Sequence, residues 1–346
     1  MAIIKRGSKP TLKTIAGLSG LAVPTVSRAL SDAPDIGNET KILVRRIAKE
    51  IGYVPNRAGV RLRTGRTNVI SLVMSTEYDV MNHVGRLISS IAGELLNTPY
   101  HLIVTPYFPA EDIMRPIRYI VETGSADAVI LNQIEPEDAR LAYLREHNFP
   151  FVTHGRSNWS EELPYFDFDN IAFGKITMQK LAEKGRRHVV MVAPPLSQSY
   201  AHHMIDGART IAETHGVIFE TLEGANNDSP TPQVDQAMRR KLHASPSVDG
   251  IICAAAATTM ASVSALEALG RRLGHDIDIC AKEAVPFLSL FRPEIMAVQE
   301  DLGKAGRFLA NAAVQAIREP EKPPMQGLDV PDADRFTTTR GIQEDI

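Results

Sequence analysis

The stretch Val23-Pro-Thr-Val-Ser-Arg-Ala-Leu30 decides how the chain begins to fold. It reads as a short helix starting near Ala22. Pro24 is tolerated there because it sits in the first turn, where its missing N–H has no intrahelical partner. Upstream, Thr11 can cap a helix through about Leu18, with Leu12, Ile15 and Ala16 on one face at i, i+3, i+4. Gly20 lies between the two helices as a tight turn. Downstream, a third helix is expected over residues 38–51, with Val44, Ile47, Ala48 and Ile51 along one stripe and Gly52 as its stop. Two short helices about a glycine turn form a helix-turn-helix, whose second helix suits a major groove.

The charge around this stretch agrees. Residues 1–66 hold 13 Lys and Arg against 4 Asp and Glu, a net +9. The whole 346-residue chain carries −3, so the remainder is at −12. A basic head on an acidic body is the footprint of a nucleic-acid-binding module joined to something else.

Composition bounds the rest. With 44% hydrophobic and 23% charged residues, the chain is ordinary globular protein with length for two or three domains. No apolar run approaches the ~20 residues that a membrane helix needs, and the start MAIIKRGSKP lacks the apolar stretch of a signal peptide. Two cysteines, Cys253 and Cys280, support neither a disulfide scaffold nor a multi-cysteine zinc site. Both fall in apolar stretches and are expected to be buried and inert. The expected setting is the cytoplasm, with no membrane partner.

From Thr67 onward, apolar strands alternate with amphipathic helices. Strands are expected at residues 69–73, 100–105, 128–131, 151–153, 189–192, 219–222, 250–253 and 277–280. Helices are expected at 83–96, 113–123, 136–147, 172–184, 199–214, 232–243, 258–269 and 302–318. Such alternation means parallel sheets covered on both faces. The fold class is therefore an all-α helix-turn-helix head followed by an α/β core.

Three blocks carry a family resemblance: Thr11-Leu-Lys-Thr-Ile-Ala16, the Val23–Leu30 helix, and Ile51-Gly-Tyr-Val-Pro-Asn-Arg57. In this order and spacing they resemble the head of the LacI/GalR family of bacterial transcriptional regulators, and the resemblance continues over the whole chain. It implies a sequence-specific repressor that binds double-stranded, pseudo-palindromic operator DNA as a homodimer. Carried over residue by residue, Val23, Pro24 and Arg28 are base-reading positions. Arg28 can donate bidentately to guanine, whereas Val23 and Pro24 offer apolar contact only. The hydroxyls of Thr25 and Ser27 suit phosphate oxygens. Asn56 would cap a hinge helix of about residues 57–63, beginning at Arg57, with Leu62 matching the family's minor-groove wedge. Ala22 departs from the family, which usually has a capping Ser there.

The two series of strands and helices resemble the paired lobes of periplasmic sugar-binding proteins, the effector core of this family. The implied domains are a head of residues 1–55, a hinge and linker of 56–67, and a two-lobed core of 68–346. Lobe 1 takes about 68–168 and 302–325, lobe 2 about 170–299 and 328–346, with crossings near 168–170, 300–302 and 325–328. Ligands in such folds bind beyond the carboxyl ends of strands. The family alignment places Ser75, His83, His154, Arg156, Asp169, Met204, Glu283 and Glu300 there. Met204 stands where many members have Arg, Ala257-Thr258 where they have Asn-Asp, and Lys282-Glu283 where they have an aromatic residue and Asp. Loss of an Arg at 204 disfavours a strongly anionic ligand, although Arg156 would still admit a monoanion. The implied effector is a neutral sugar, polyol or glycoside.

Catalysis has no motif behind it, since neither phosphate-cradling nor dinucleotide glycine loops nor a G-x-S-x-G elbow occurs. His202 and His203 beside Asp206 would point about 100° apart on a helix and would not converge on one ion. No enzyme activity, cofactor or metal is expected. Two alternatives stand beside the repressor: a sugar-binding transport or sensor protein, and a regulator answering a non-carbohydrate metabolite such as a purine. The chain's end shows no heptad repeat for assembly beyond the dimer.

Overall fold

A computed structural model describes residues 10–54, 65–76, 83–108 and 111–337. The chain divides into two compact units, residues 1–67 and 68–346. In the first, α1 (Leu12–Ser19), α2 (Val23–Leu30) and α3 (Asn38–Glu50) enclose a small core in which Ile15, Val26, Ala29 and Val44 are fully buried. α1 starts with a reciprocal cap: Thr11 Oγ1 accepts from the Thr14 amide, and Thr14 Oγ1 accepts from the Thr11 amide. It stops at Gly20, whose φ of 69° is a left-handed value that glycine adopts without steric cost. At the start of α2, Ala22 has no side chain to bond the first turn, and no side-chain cap forms.

The second unit contains two six-stranded sheets. The first combines β1 (Val69–Ser75), β2 (His101–Tyr107), β3 (Ala128–Leu131), β4 (Phe151–His154) and β5 (Tyr165–Phe168). Helices α4 (His83–Leu95), α5 (Met114–Thr123) and α6 (Ala139–Glu146) connect these strands. The second sheet follows with β6 (His188–Val192), β7 (Ile218–Thr221), β8 (Gly250–Cys253), β9 (Asp278–Glu283) and β10 (Met296–Gln299). Its helices are α7 (Asn170–Glu183), α8 (Ser199–His215), α9 (Thr231–Ala244), α10 (Ala256–Ala268) and the short α11 (Leu288–Phe291). The chain then returns through α12 (Leu302–Arg318) to β11 (Gln326–Asp329) in the first sheet, and ends with β12 (Phe336–Thr337) in the second.

Strand order is β11-β5-β4-β3-β1-β2 in one lobe and β12-β10-β9-β8-β6-β7 in the other. All described pairings are parallel except β12 against β10. Two crossings between lobes fall after β5 and after β10. The third differs from the sequence expectation. Residues 325–328 do not cross; Gln326–Asp329 is the outer strand of the first sheet, paired with β5, and the chain crosses only after it. This strand has no apolar run, because an outer position asks for backbone pairing more than for burial on both faces.

Helices α7 and α8 approach closely through glycines. A Cβ at Gly174 would collide with the Met204 carbonyl oxygen, and one at Gly207 with that of Ile171. This contact fixes the start of α8 beside the start of α7, and both starts face the gap between the lobes.

Candidate functional site

On the first unit, the exposed face of α2 presents Pro24 and Arg28, one turn apart, opposite the buried Val26 and Ala29. Val23, Thr25 and Ser27 flank this face and are half-buried, and Val23 packs against the head core. The Arg28 guanidinium forms an ion pair with Asp35, both side chains about half exposed. Asp32 takes the charges of Arg45 at 2.6 Å and Lys41 at 3.2 Å. Asn56, Arg57 and Leu62, the expected hinge residues, lie outside the described residues.

On the second unit, a cleft of about 200 Å³ opens between the lobes. It is lined where strands end: Met74 and Ser75 at the end of β1, Asn132 and Gln133 after β3, His154 and Gly155 at the end of β4, and Asp167 in β5. The other lobe brings the 254–257 alanines after β8, Lys282, Glu283 and Ala284 at the end of β9, and Glu300 after β10. Asn170 and Tyr200 enter from the first turns of α7 and α8, and Asn227 and Asp228 from the loop after β7. Parallel topology produces this convergence, because every such strand ends toward the same edge.

Ser75, His154, Glu283 and Glu300 thus come together as the sequence suggests, while Arg156, Asp169 and Met204 do not line the cleft. Each has a structural occupation instead. Met204 is fully buried in the second lobe's core beside the α7–α8 contact. Asp169 caps α7 by accepting from the amides of Ile171 and Ala172. Arg156 donates from Nε to Asp167 Oδ2 at 2.8 Å and lies 3.7 Å from Asp169. The side chain of His83 lies outside what is described. Of the Ala257-Thr258 pair, only Ala257 faces the cleft.

Inside the cleft, charges are arranged in partnership. Lys282 Nζ is 3.0 Å from Glu300 Oε2 and sits over the rings of Phe168 and Tyr200, at 5.1 and 5.6 Å. His154 Nε2 is 3.7 Å from Glu300 Oε1. Glu283 Oε2 accepts from the amides of Phe287 and Leu288, holding the start of α11. Burial pushes the Asp167 carboxyl up to about 7, against the lowering pull of Arg156. Burial, reinforced by Asp228 and Glu300, raises the Tyr200 phenol well above its ordinary value, so it stays a neutral donor. Asn132 Oδ1 is buried with no hydrogen-bond partner among the described residues, an acceptor that an incoming hydroxyl would satisfy.

The amide-bearing residues Asn132, Gln133, Asn170 and Asn227 were absent from the sequence reading. The first pair directly follows a strand, so the same positional rule applied to β3 finds it. Asn227 and Asp228 lie six or more residues beyond β7, in a loop that no strand-end rule reaches.

Elsewhere, chemistry is sparse. Cys253 and Cys280 are buried, and burial raises both thiols, that of Cys253 to about 11. Among the described residues there is no cluster of metal-ligating side chains, and no helix is long and apolar enough to cross a membrane.

Comparison with known proteins follows this division. Residues 11–56 match bacterial regulatory proteins of the lacI family, and residues 178–336 match the periplasmic binding protein-like domain. The HTH-type transcriptional regulator AglR of Rhizobium meliloti (strain 1021) is 28% identical over 327 residues, covering 92% of this chain and 90% of its own. CelR of Thermobifida fusca is 26% identical over 332 residues, covering 91% and 94%. Among solved structures, a transcriptional regulator CelR–cellobiose complex matches at 25% identity and a TM-score of 0.67, covering 92% of this chain and 97% of that one. The lac repressor dimer bound to operator and an anti-inducer shares the fold at 17% identity and a TM-score of 0.78, over 93% and 96% of the chains. Head, core and full-length relatives agree: this chain joins a lacI-family helix-turn-helix head to a periplasmic binding protein-like core, and over about nine-tenths of its length it is similar to HTH-type transcriptional regulators.

Proposed function

We propose that this regulator is a cytoplasmic repressor, that two copies bind a pseudo-palindromic operator, and that a neutral sugar, polyol or glycoside in the interlobe cleft sets its DNA affinity. The observation that carries the effector class is the charge inventory of the cleft. Among the described lining residues, four carboxyl groups, Asp167, Asp228, Glu283 and Glu300, face it, and one ammonium, Lys282, is engaged by Glu300. An anion would meet repulsion that Arg156 does not offset, because it is turned to Asp167 outside the lining. Hydroxyls fare well, since carboxylates accept from them while side-chain amides both donate and accept. Tyr200, Met74 and Val84 add apolar surface for the C–H faces of a ring. The cellobiose held by the structurally similar CelR supports the same class.

Arg28 and Pro24, with Val23, Thr25 and Ser27 beside them, are assigned to the major groove, and Leu62 with Asn56 and Arg57 to the hinge. Effector binding would change the interlobe angle and, through the hinge, operator affinity, a coupling of roughly 1–3 kcal/mol. Gel shifts on genomic fragments, with and without cellobiose, maltose, raffinose and their acidic derivatives, test the whole scheme. Retarded fragments that respond to a neutral carbohydrate are expected. A response confined to an anionic compound would overturn the effector class and leave DNA binding standing.

A further inference from the structure

We propose that the buried Asp138–Arg140 ion pair is a positioning device for the cleft: it fixes the turn of residues 132–134, and that turn clasps the opposite lobe. This rests on the cleft being the effector site.

The pair lies under the turn that follows β3, with side chains 3% and 1% exposed. Asp138 caps α6, and its carboxylate accepts from Glu135 N at 3.1 Å and from Arg140 N at 2.9 Å. Arg140 returns Nε to Oδ1 at 2.9 Å and Nη2 to Oδ2 at 2.6 Å. The same Nη2 donates to the carbonyl oxygens of Asn132 and Gln133, at 3.1 and 2.9 Å. One guanidinium edge therefore grips two consecutive carbonyls of the cleft lining.

That grip has a reason in the backbone. Gln133 holds φ at 51°, in the left-handed region where a side chain other than glycine is uncommon. Such a conformation persists only when its surroundings over-determine it. The result is a turn whose groups reach across the cleft. The Ile134 carbonyl accepts from the Ser199 amide at the head of α8, at 2.8 Å. Gln133 Nε2 donates to Asp228 Oδ2 at 3.3 Å, an oxygen that also accepts from Gln198 Nε2 at 3.3 Å. Three consecutive residues thus present Asn132 and Gln133 to the cleft and join the lobes through Gln133 and Ile134. Neither residue of the pair lines the cleft, and the hydrogen bonds described for it stay within the first lobe.

Hydrogen–deuterium exchange on the full chain, resolved to the Ser199 amide, tests the proposal without a ligand. Arg140→Lys keeps the charge but has no planar fork and only three N–H donors for the four oxygens that Arg140 bonds, so it cannot hold both carboxylate oxygens and both carbonyls. It should speed exchange at Ser199 by about tenfold, with β3 and β8 amides little changed. A folded variant with unchanged Ser199 protection, or one losing it in step with β3, overturns the proposal. If Arg140→Lys does not fold, the isosteric Asp138→Asn decides by the same comparison. Calorimetry with cellobiose, maltose and raffinose runs beside it. A wild-type chain silent to all three counts against the effector reading, while the Ser199 amide still decides this one.

Discussion

Lys282 Nζ lies 3.0 Å from Glu300 Oε2, with the two side chains 11% and 7% exposed. Where an aromatic residue is common in the family, this chain has placed a buried ion pair. Lys282→Met should therefore destabilise the core by about 3–5 kcal/mol, the usual cost of stranding one partner of a buried pair. Lys282→Met combined with Glu300→Gln should recover most of that loss. Urea denaturation of both variants checks it, and a single-variant cost under about 1 kcal/mol would mark the pair as solvated.

Stability should fall as pH rises toward neutrality through Asp167. Its folded-state carboxyl titrates near 7, pushed up by burial, against an ordinary 3.8. The native state thus holds a proton that the unfolded chain releases across that window. The contribution is complete below 3.8 and is lost as pH passes through about 7. Asp167→Asn should flatten the dependence of the urea midpoint on pH over this range, with the variant gaining on the parent toward neutral pH.

Operator recognition should depend on Arg28 in a base-specific way. In the free head its guanidinium rests against Asp35, but an exposed pair is worth only about 0–1 kcal/mol, so release to a base costs little. Arg28→Ala should weaken operator binding by about 1–3 kcal/mol and relax preference at one base pair per half-site. Competition gel shifts against base-substituted operators measure both. Equal losses on operator and random DNA would reassign Arg28 to phosphate contact.

Restoring a cap should firm the recognition helix. Ala22→Ser gives α2 the side-chain acceptor it lacks, with an expected gain of about 0.5–2 kcal/mol. Slower amide exchange within residues 23–30 would register it.

The head was legible in the sequence because its helices follow local rules: Thr11 as cap, Gly20 as stop, Val26 and Ala29 as the inward stripe. The apolar strands of both lobes were equally clear, and residues 128–131 and 250–253 match the structure residue for residue. Strands β5, β10, β11 and β12 were not expected: β5 carries the acidic Asp167, β12 spans two residues, and Gln326–Asp329 is outermost and polar. The cleft divided in the same way. Ser75 ends β1 and Glu300 follows β10, so both were found by position. Met204, Asp169 and Arg156 sit near the right places, yet packing against Gly174, capping of α7 and the Asp167 pair claim them. Sequence position marks the neighbourhood of a site, whereas the direction of a side chain depends on competing partners that only the folded molecule supplies.

The return of α12 and β11 to the first sheet has a consequence for how the molecule is made. Leu87, Ile91 and Leu95 of α4 are buried in one cluster with Leu302, Ala305 and Leu309 of α12. More than two hundred residues of synthesis separate these halves, roughly 10–50 s at ribosomal speed. Throughout that interval the nascent first lobe exposes a greasy helix face and an unfinished sheet. The second lobe, whose parallel strands are contiguous in the chain, can mature earlier. The first lobe, although translated before the second, is thus the later of the two to close, when its C-terminal segment emerges.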